Sequence, residues 1–229
     1  MSRLSLVVSN SKSAPVVPGA RLAPAWRRWL ESVSRRWPIA LPGTVPGRVP
    51  ITRLMAVVFA DMAGYSRLFA LDDTGTVARL RMVHNELIEP AIRHHHGRLV
   101  QTGGDSMLII FESVAQAVKC AVTIQSEIAI NADYWPIDQK MRFRIGVDLG
   151  DIIMDGMNFH GDGVIVASRL QAVCPPGGVC VSRAVHERGG ARLGLATEAL
   201  GPLALKNVGR PVEAFVMWPR PREAMELLV

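Results

Sequence analysis

Ala60-Asp61-Met62-Ala63-Gly64-Tyr65-Ser66 and, further along, Thr102-Gly103-Gly104-Asp105 each carry one aspartate beside a strand-like run. The apolar run 54–59 ahead of Asp61 reads as a buried strand. Asp105 lies in a glycine turn between two further strand-like runs, 98–101 and 106–111, which reads as a hairpin. Two strand-end carboxylates in one sheet would suit a hard cation such as Mg²⁺, which takes one or two carboxylates plus substrate phosphates. A pair of such ions can hold both the attacking and the leaving oxygen of an in-line displacement. The same residues also read as a helix N-cap and a turn residue.

Around this pair the pattern alternates. A short helix is expected at 65–69, and Asp72-Asp73-Thr74 supplies an N-cap for a long helix, 75–95, ended by Gly97. Helices are also expected at 113–130 and 163–173. Strands are expected at 141–149 and 151–154, divided at Gly150, then at 178–181, 195–199 and 212–218. Asp148 and Asp151 would flank that division. Asp162 and Gly163 would shape the start of the 163–173 helix. Consecutive helix residues do not share a face, so His94-His95-His96 reads as an exposed helix end and not as a metal tract. Helices segregated over a mixed sheet predict an α/β sandwich of ferredoxin-like type.

The chain has 229 residues, 49% of them apolar, which supports one globular domain with a substantial core. No apolar run approaches the ~18 residues of a membrane span, and 1–17 lacks the core of a secretory signal. Cys120, Cys174 and Cys180 are few and unpatterned, which fits structural thiols in a reducing cytoplasm. Residues 1–50 carry a net charge of +7 within a chain total of +6, so 51–229 is close to neutral. The high pI therefore belongs to the leader and argues nothing for nucleic-acid binding by the main domain, and no nucleic-acid partner is expected. Pro38, Pro42, Pro46 and Pro50 mark a linker, giving a leader at 1–50, a domain at 51–219 and a tail at 220–229. Trp26, Trp29, Leu30, Val33 and Trp37 recur at helical spacing among arginines. Such a helix packs on its own domain or a partner chain, or makes peripheral contact with an anionic inner-membrane surface.

Between about residues 53 and 218 the chain resembles the class III nucleotidyl cyclases, the adenylate and guanylate cyclase family. The residues that carry this are Phe59-Ala60-Asp61-Met62-Ala63-Gly64-Tyr65-Ser66-Arg67-Leu68, Thr102-Gly103-Gly104-Asp105 and Phe143-Arg144-Ile145-Gly146-Val147-Asp148-Leu149-Gly150-Asp151. Gly161-Asp162-Gly163-Val164, Ala167-Ser168-Arg169-Leu170 and Leu205-Lys206-Asn207-Val208 complete the match in order and spacing. The resemblance implies a head-to-tail dimer, homodimeric or heterodimeric with another cyclase domain. It implies attack of the ribose 3′-hydroxyl of ATP, or of GTP, on its own α-phosphorus with two Mg²⁺ or Mn²⁺ ions. It places metal ligands at Asp61, Asp105 and the Met62 backbone carbonyl, the transition-state arginine at Arg169 and a phosphate contact at Lys206. It also implies that the helix start after Asp61 offers N–H groups to phosphates.

Three positions depart from the adenylate cyclase pattern. Gln101 stands for the purine-reading lysine, Asn158 for the purine-reading aspartate, and Ile165 for the asparagine that holds the ribose. Each amide offers both donors and an acceptor, so the Gln101/Asn158 pair could serve adenine or guanine. Isoleucine cannot hydrogen-bond, and losing one positioned polar group at a transition state costs about 10²–10³ in rate. Two readings therefore stay open: a weak or purine-tolerant cyclase, and a degenerate domain that regulates or complements a complete homologue.

Overall fold

The computed structural model describes residues 51–155 and 158–219. The leader with its Trp26/Trp29/Trp37 pattern, and the tail 220–229, lie outside the described residues. Strand β1 (Ile51–Met62) leads through α1 (Tyr65–Leu71), α2 (Asp73–Val83) and α3 (Glu89–His94) to the hairpin β2 (Arg98–Gly103) and β3 (Ser106–Phe111). Helix α4 (Val114–Ala132) returns the chain to β4 (Phe143–Asp155). The short β5 (Asn158–His160), α5 (Asp162–Val173), β6 (Val179–Ser182), β7 (Ala196–Leu203) and β8 (Val212–Trp218) follow.

The strands form one sheet in the order β2-β3-β1-β4-β6-β8-β7, with β5 paired to β4. The first four strands are antiparallel neighbours joined as β-α-β-β-α-β, the ferredoxin-like arrangement. β4 and β6 run parallel, so the sheet is mixed, as its sequence predicts. Each face of β1 is buried against a different layer. Ala56, Val58, Ala60 and Met62 join the core beneath α1–α4, while Met55 and Val57 face α5. α4 buries Ala117, Cys120, Ala121, Ile124 and Ile128 at helical spacing, and the Ser113 hydroxyl caps it. All three cysteines are buried free thiols; burial pushes Cys120 and Cys174 up to about 12 and Cys180 higher still. Among the described residues no helix is long and apolar enough to cross a membrane.

β4 corrects the expectation of two strands divided at Gly150. It is continuous, and Gly150 pairs with Met55 inside the ladder. The glycine is there for packing: a Cβ on Gly150 would stand 2.8 Å from the Cα of Gly163 in α5. One turn of the seam further on, a Cβ on Gly146 would run into the Ala167 carbonyl oxygen and the Gln171 backbone nitrogen. The bare stretch of strand lets α5 lie directly on the β4 backbone. Gly146→Ala is expected to destabilise the domain by about 1–3 kcal/mol, because backbone must move to admit the methyl group. Chemical denaturation of parent and variant measures this.

Asp148 and Asp151, expected beside a turn, are mid-strand residues opposite Val57 and Leu54. Asp148 is buried on the α5 side, and burial holds its carboxyl above the ordinary range. Nearby Asp162 adds to this, while the Ser182 hydroxyl, the Leu149 N–H and Arg210 oppose it. A raised pKa in the fold means that the native state binds the proton more tightly than the unfolded chain. Stability contributed by this site therefore falls as pH rises through the folded pKa. Asp148→Asn should melt higher than the parent at neutral pH, and the gap should close as the solution is acidified. Thermal melts across pH check it.

The expected long helix is interrupted. His84–Ile88 forms a π-helical segment in which the Glu89 N–H donates to the His84 carbonyl. Pro90, at the start of α3, cannot donate and would crowd the preceding turn of an ordinary α-helix, so the wider turn accommodates it. His95 is also a correction. It is buried, with Nδ1 2.9 Å from Gln116 Oε1 and Nε2 3.1 Å from Thr123 Oγ1, both on α4. It pins α3 to α4, while His94 and His96 stay exposed.

Candidate active site

Asp61 comes at the end of β1 and Asp105 from the turn between β2 and β3. In the ladders Asp61 lies opposite Ser106 of β3 and Arg144 of β4. The Met62 N–H donates to the Asp105 carbonyl at 3.2 Å, which ties the hairpin turn to the β1 end. The structure therefore brings the two predicted aspartates together. Gly104 sits in the left-handed region (φ 69°), which lets the chain turn tightly before Asp105.

Both aspartates are half-buried. Asp61 is held above the ordinary carboxylate range, first by burial and then by the charge of Asp105. Arg144 and a hydrogen bond from Gln171 oppose this without cancelling it. Arg144 Nε is itself buried and lacks a hydrogen-bond partner. Two acids that repel one another are stabilised by a cation between them. Among the described residues no cluster of three or more His, Cys, Asp or Glu side chains forms a cage. An ion here would complete its shell from backbone, water and substrate oxygens, the habit of Mg²⁺. The donor set fits that ion.

Beyond Asp61 the chain turns through Gly64, a left-handed residue that starts α1 without any side-chain cap. A cleft of about 260 Å³ opens beside Asp105, lined by Arg81, His84, Asn85 and Thr102 among others.

The other predicted residues stand elsewhere. Gln101 is exposed on β2, just past a register shift, opposite Leu108. Asn158 is exposed at the start of β5, paired with Asp155. Ile165 and Arg169 lie one turn apart on α5; Ile165 is 40% exposed, and Arg169 Nε donates to the Lys206 carbonyl at 3.2 Å. Lys206 itself is exposed.

Two residues of the site were not foreseen. Arg144 is found only once β4 is placed in register with β1. Gln171 is buried (7% exposed), and its Nε2 donates to Asp61 Oδ2 at 3.3 Å. Its one sequence signal is a polar residue in the buried stripe 163, 166, 167, 170 of α5. Gln171 follows Arg169 by two residues, a rotation of about 200° around a helix. The face of α5 that touches Asp61 is thus not the face that carries Arg169.

The fold, ferredoxin-like core and extended mixed sheet together, is that of a class III nucleotidyl cyclase. Residues 50–218 match the adenylate and guanylate cyclase catalytic domain family, and the chain belongs to it. It is 37% identical over 170 residues to putative adenylate cyclase 3 of Rhizobium meliloti, covering 74% of this chain and 29% of that one. It is 27% identical over 171 residues to an adenylate cyclase of Streptomyces coelicolor, covering 72% of this chain and 43% of that one. The chain thus spans less than half the length of these relatives. A crystal structure of an adenylate/guanylate cyclase/hydrolase from Silicibacter pomeroyi superposes with a TM-score of 0.71 at 37% identity, covering 75% of this chain and 100% of that one. The adenylyl cyclase CyaB from P. aeruginosa shares the fold at a TM-score of 0.64 and 17% identity, covering 76% of this chain and 98% of that one.

Proposed function

We propose that this domain converts ATP to cyclic AMP and pyrophosphate in the cytoplasm, at sites shared between two chains in a head-to-tail dimer. The observation that carries the reading is the Asp61–Asp105 pair, two close carboxylates with incomplete internal compensation. Membership of the cyclase family and likeness to adenylate cyclases support the substrate class.

In this reading Asp61, Asp105 and the Met62 carbonyl would hold two Mg²⁺ or Mn²⁺ ions, which would supply charge neutralisation for the triphosphate and Lewis acidity at the reacting oxygens. The 3′-oxygen forms a bond to the α-phosphorus, the bond to the bridging oxygen breaks, and the hydroxyl proton passes to solvent. Arg144, beside Asp61, adds positive charge where pyrophosphate leaves. Arg169 faces away from its own Asp61, so it serves the partner's phosphates, with Lys206 next to it. Gln101 and Asn158 read the purine, and their amides relax the choice between ATP and GTP. Ile165 leaves the ribose without its usual polar anchor and makes turnover slow.

Purified protein assayed with Mn-ATP and Mn-GTP in parallel tests the activity. Mixing Asp61→Ala and Arg169→Ala chains tests the sharing. Each variant alone is silent, while heterodimers keep one intact site, so the mixture should regain about a quarter of parental turnover. No recovery on mixing removes the shared-site reading. The exposed Ile165 favours a second reading, a domain that complements a complete cyclase half. A chain silent alone that raises the turnover of such a half supports it.

A further inference from the structure

We infer that Gln171 is a positioning residue for Asp61, fixing the carboxylate through a buried amide. This rests on the metal role proposed for Asp61. Three observations converge on it. Gln171 is a polar side chain in the otherwise apolar underside of α5, 93% removed from solvent. Its side-chain amide nitrogen donates to Asp61 Oδ2 at 3.3 Å. Its backbone is seated against the bare face of Gly146, so the donor is mounted on a part of the helix that has no room to slide.

The chemistry of the amide suits the task. A carboxylate flanked by Asp105 and facing bulk water on one side can rotate, and a donor on one oxygen selects one orientation. A cationic donor there would compete with a metal ion for the same charge, whereas an amide donates without charge. A carboxylate there would accept and repel. Partners one step removed from a metal change its affinity by about 10- to 100-fold when replaced.

The test uses full-length protein, Mn²⁺ and 3′-deoxy-ATP, which lacks the attacking hydroxyl and cannot cyclise. Manganese binding is measured by electron paramagnetic resonance of the free ion. The rise in thermal midpoint on adding Mn²⁺ is read for each protein against its own metal-free value. Gln171→Met keeps length and volume and removes the donor; Gln171→Glu keeps length and reverses the polarity. Both should weaken Mn²⁺ binding by about 10-fold or more and shrink the Mn²⁺-dependent rise in midpoint. Because each midpoint is referred to its own baseline, a loss of stability does not mask the result. Parental Mn²⁺ binding in either variant overturns the positioning role, provided that Asp61→Ala has lost it. If Asp61→Ala also binds Mn²⁺ like the parent, the metal role of Asp61 fails first, and the assignment of Gln171 falls with it.

Discussion

Asp61→Ala and Asp105→Ala should each abolish metal-dependent cyclisation while leaving the domain folded. The expected loss is at least about 10²- to 10³-fold in rate, the scale of removing one group that stabilises a transition state. Stability should move the other way. Burial and Asp105 hold the Asp61 carboxyl above its ordinary range, so its ionised form is disfavoured in the fold at neutral pH. Removing Asp105 relieves that penalty, so the metal-free Asp105→Ala variant should melt no lower than the parent. Asp61→Ala also leaves the buried Gln171 amide without its acceptor, and should stay folded with part of that gain offset. A fall in activity at an equal or higher thermal midpoint marks a functional residue, whereas loss of both marks a structural one. Parental rates in both variants would exclude the pair as the metal site.

Ile165→Asn should raise turnover by about 10-fold or more, equivalent to about 1.4 kcal/mol in barrier. Ile165 stands on α5 four residues before Arg169, so the two side chains share a face. At 40% exposure it contributes little to the core, and a polar replacement has a low structural cost. In a shared site that face looks across to the partner's ribose and α-phosphate. An amide there can orient the attacking hydroxyl, which isoleucine cannot do. The gain should fall mainly on kcat and less on KM, because the contact matters most as the 3′-oxygen approaches phosphorus. Steady-state kinetics with Mn-ATP on parent and variant decide this. An active variant no faster than the parent shows that this chain organises its ribose by other residues. If both are silent and the parent activates a complementing half, the second reading holds.

Much of the fold was legible because local signals agreed with the global arrangement. The apolar run before Asp61, the Gly103-Gly104 hairpin and the Ser113 cap each fixed an element by short-range chemistry. The misreadings share a different cause. Gly150 looked like a break because a glycine in a strand pattern has no local reason to be there; its reason is Gly163, on another element. His95 looked exposed because its partners, Gln116 and Thr123, belong to the next helix. Pro90 does announce an irregular helix, but the π-helical form that the chain takes depends on the surrounding core. At the site, the aspartates were visible as motif residues. Arg144 stands in a motif but without a role there, and Gln171 stands in none, since each becomes a neighbour of Asp61 only through register or helix seating.

The glycine seam between β4 and α5 has a consequence for genetics. A search for inactive variants of this domain should recover changes at Gly146, Gly150 and Gly163 alongside changes at the aspartates. Those glycines touch no nucleotide in the proposed mechanism, yet a side chain at Gly146 or Gly150 forces backbone apart, and one at Gly163 crowds the same seam, shifting the helix that carries Gln171 and Arg169. Intolerance at these positions would therefore look like catalysis in a mutational map while recording only how closely two backbones must meet. Measuring protein abundance beside activity separates the two classes.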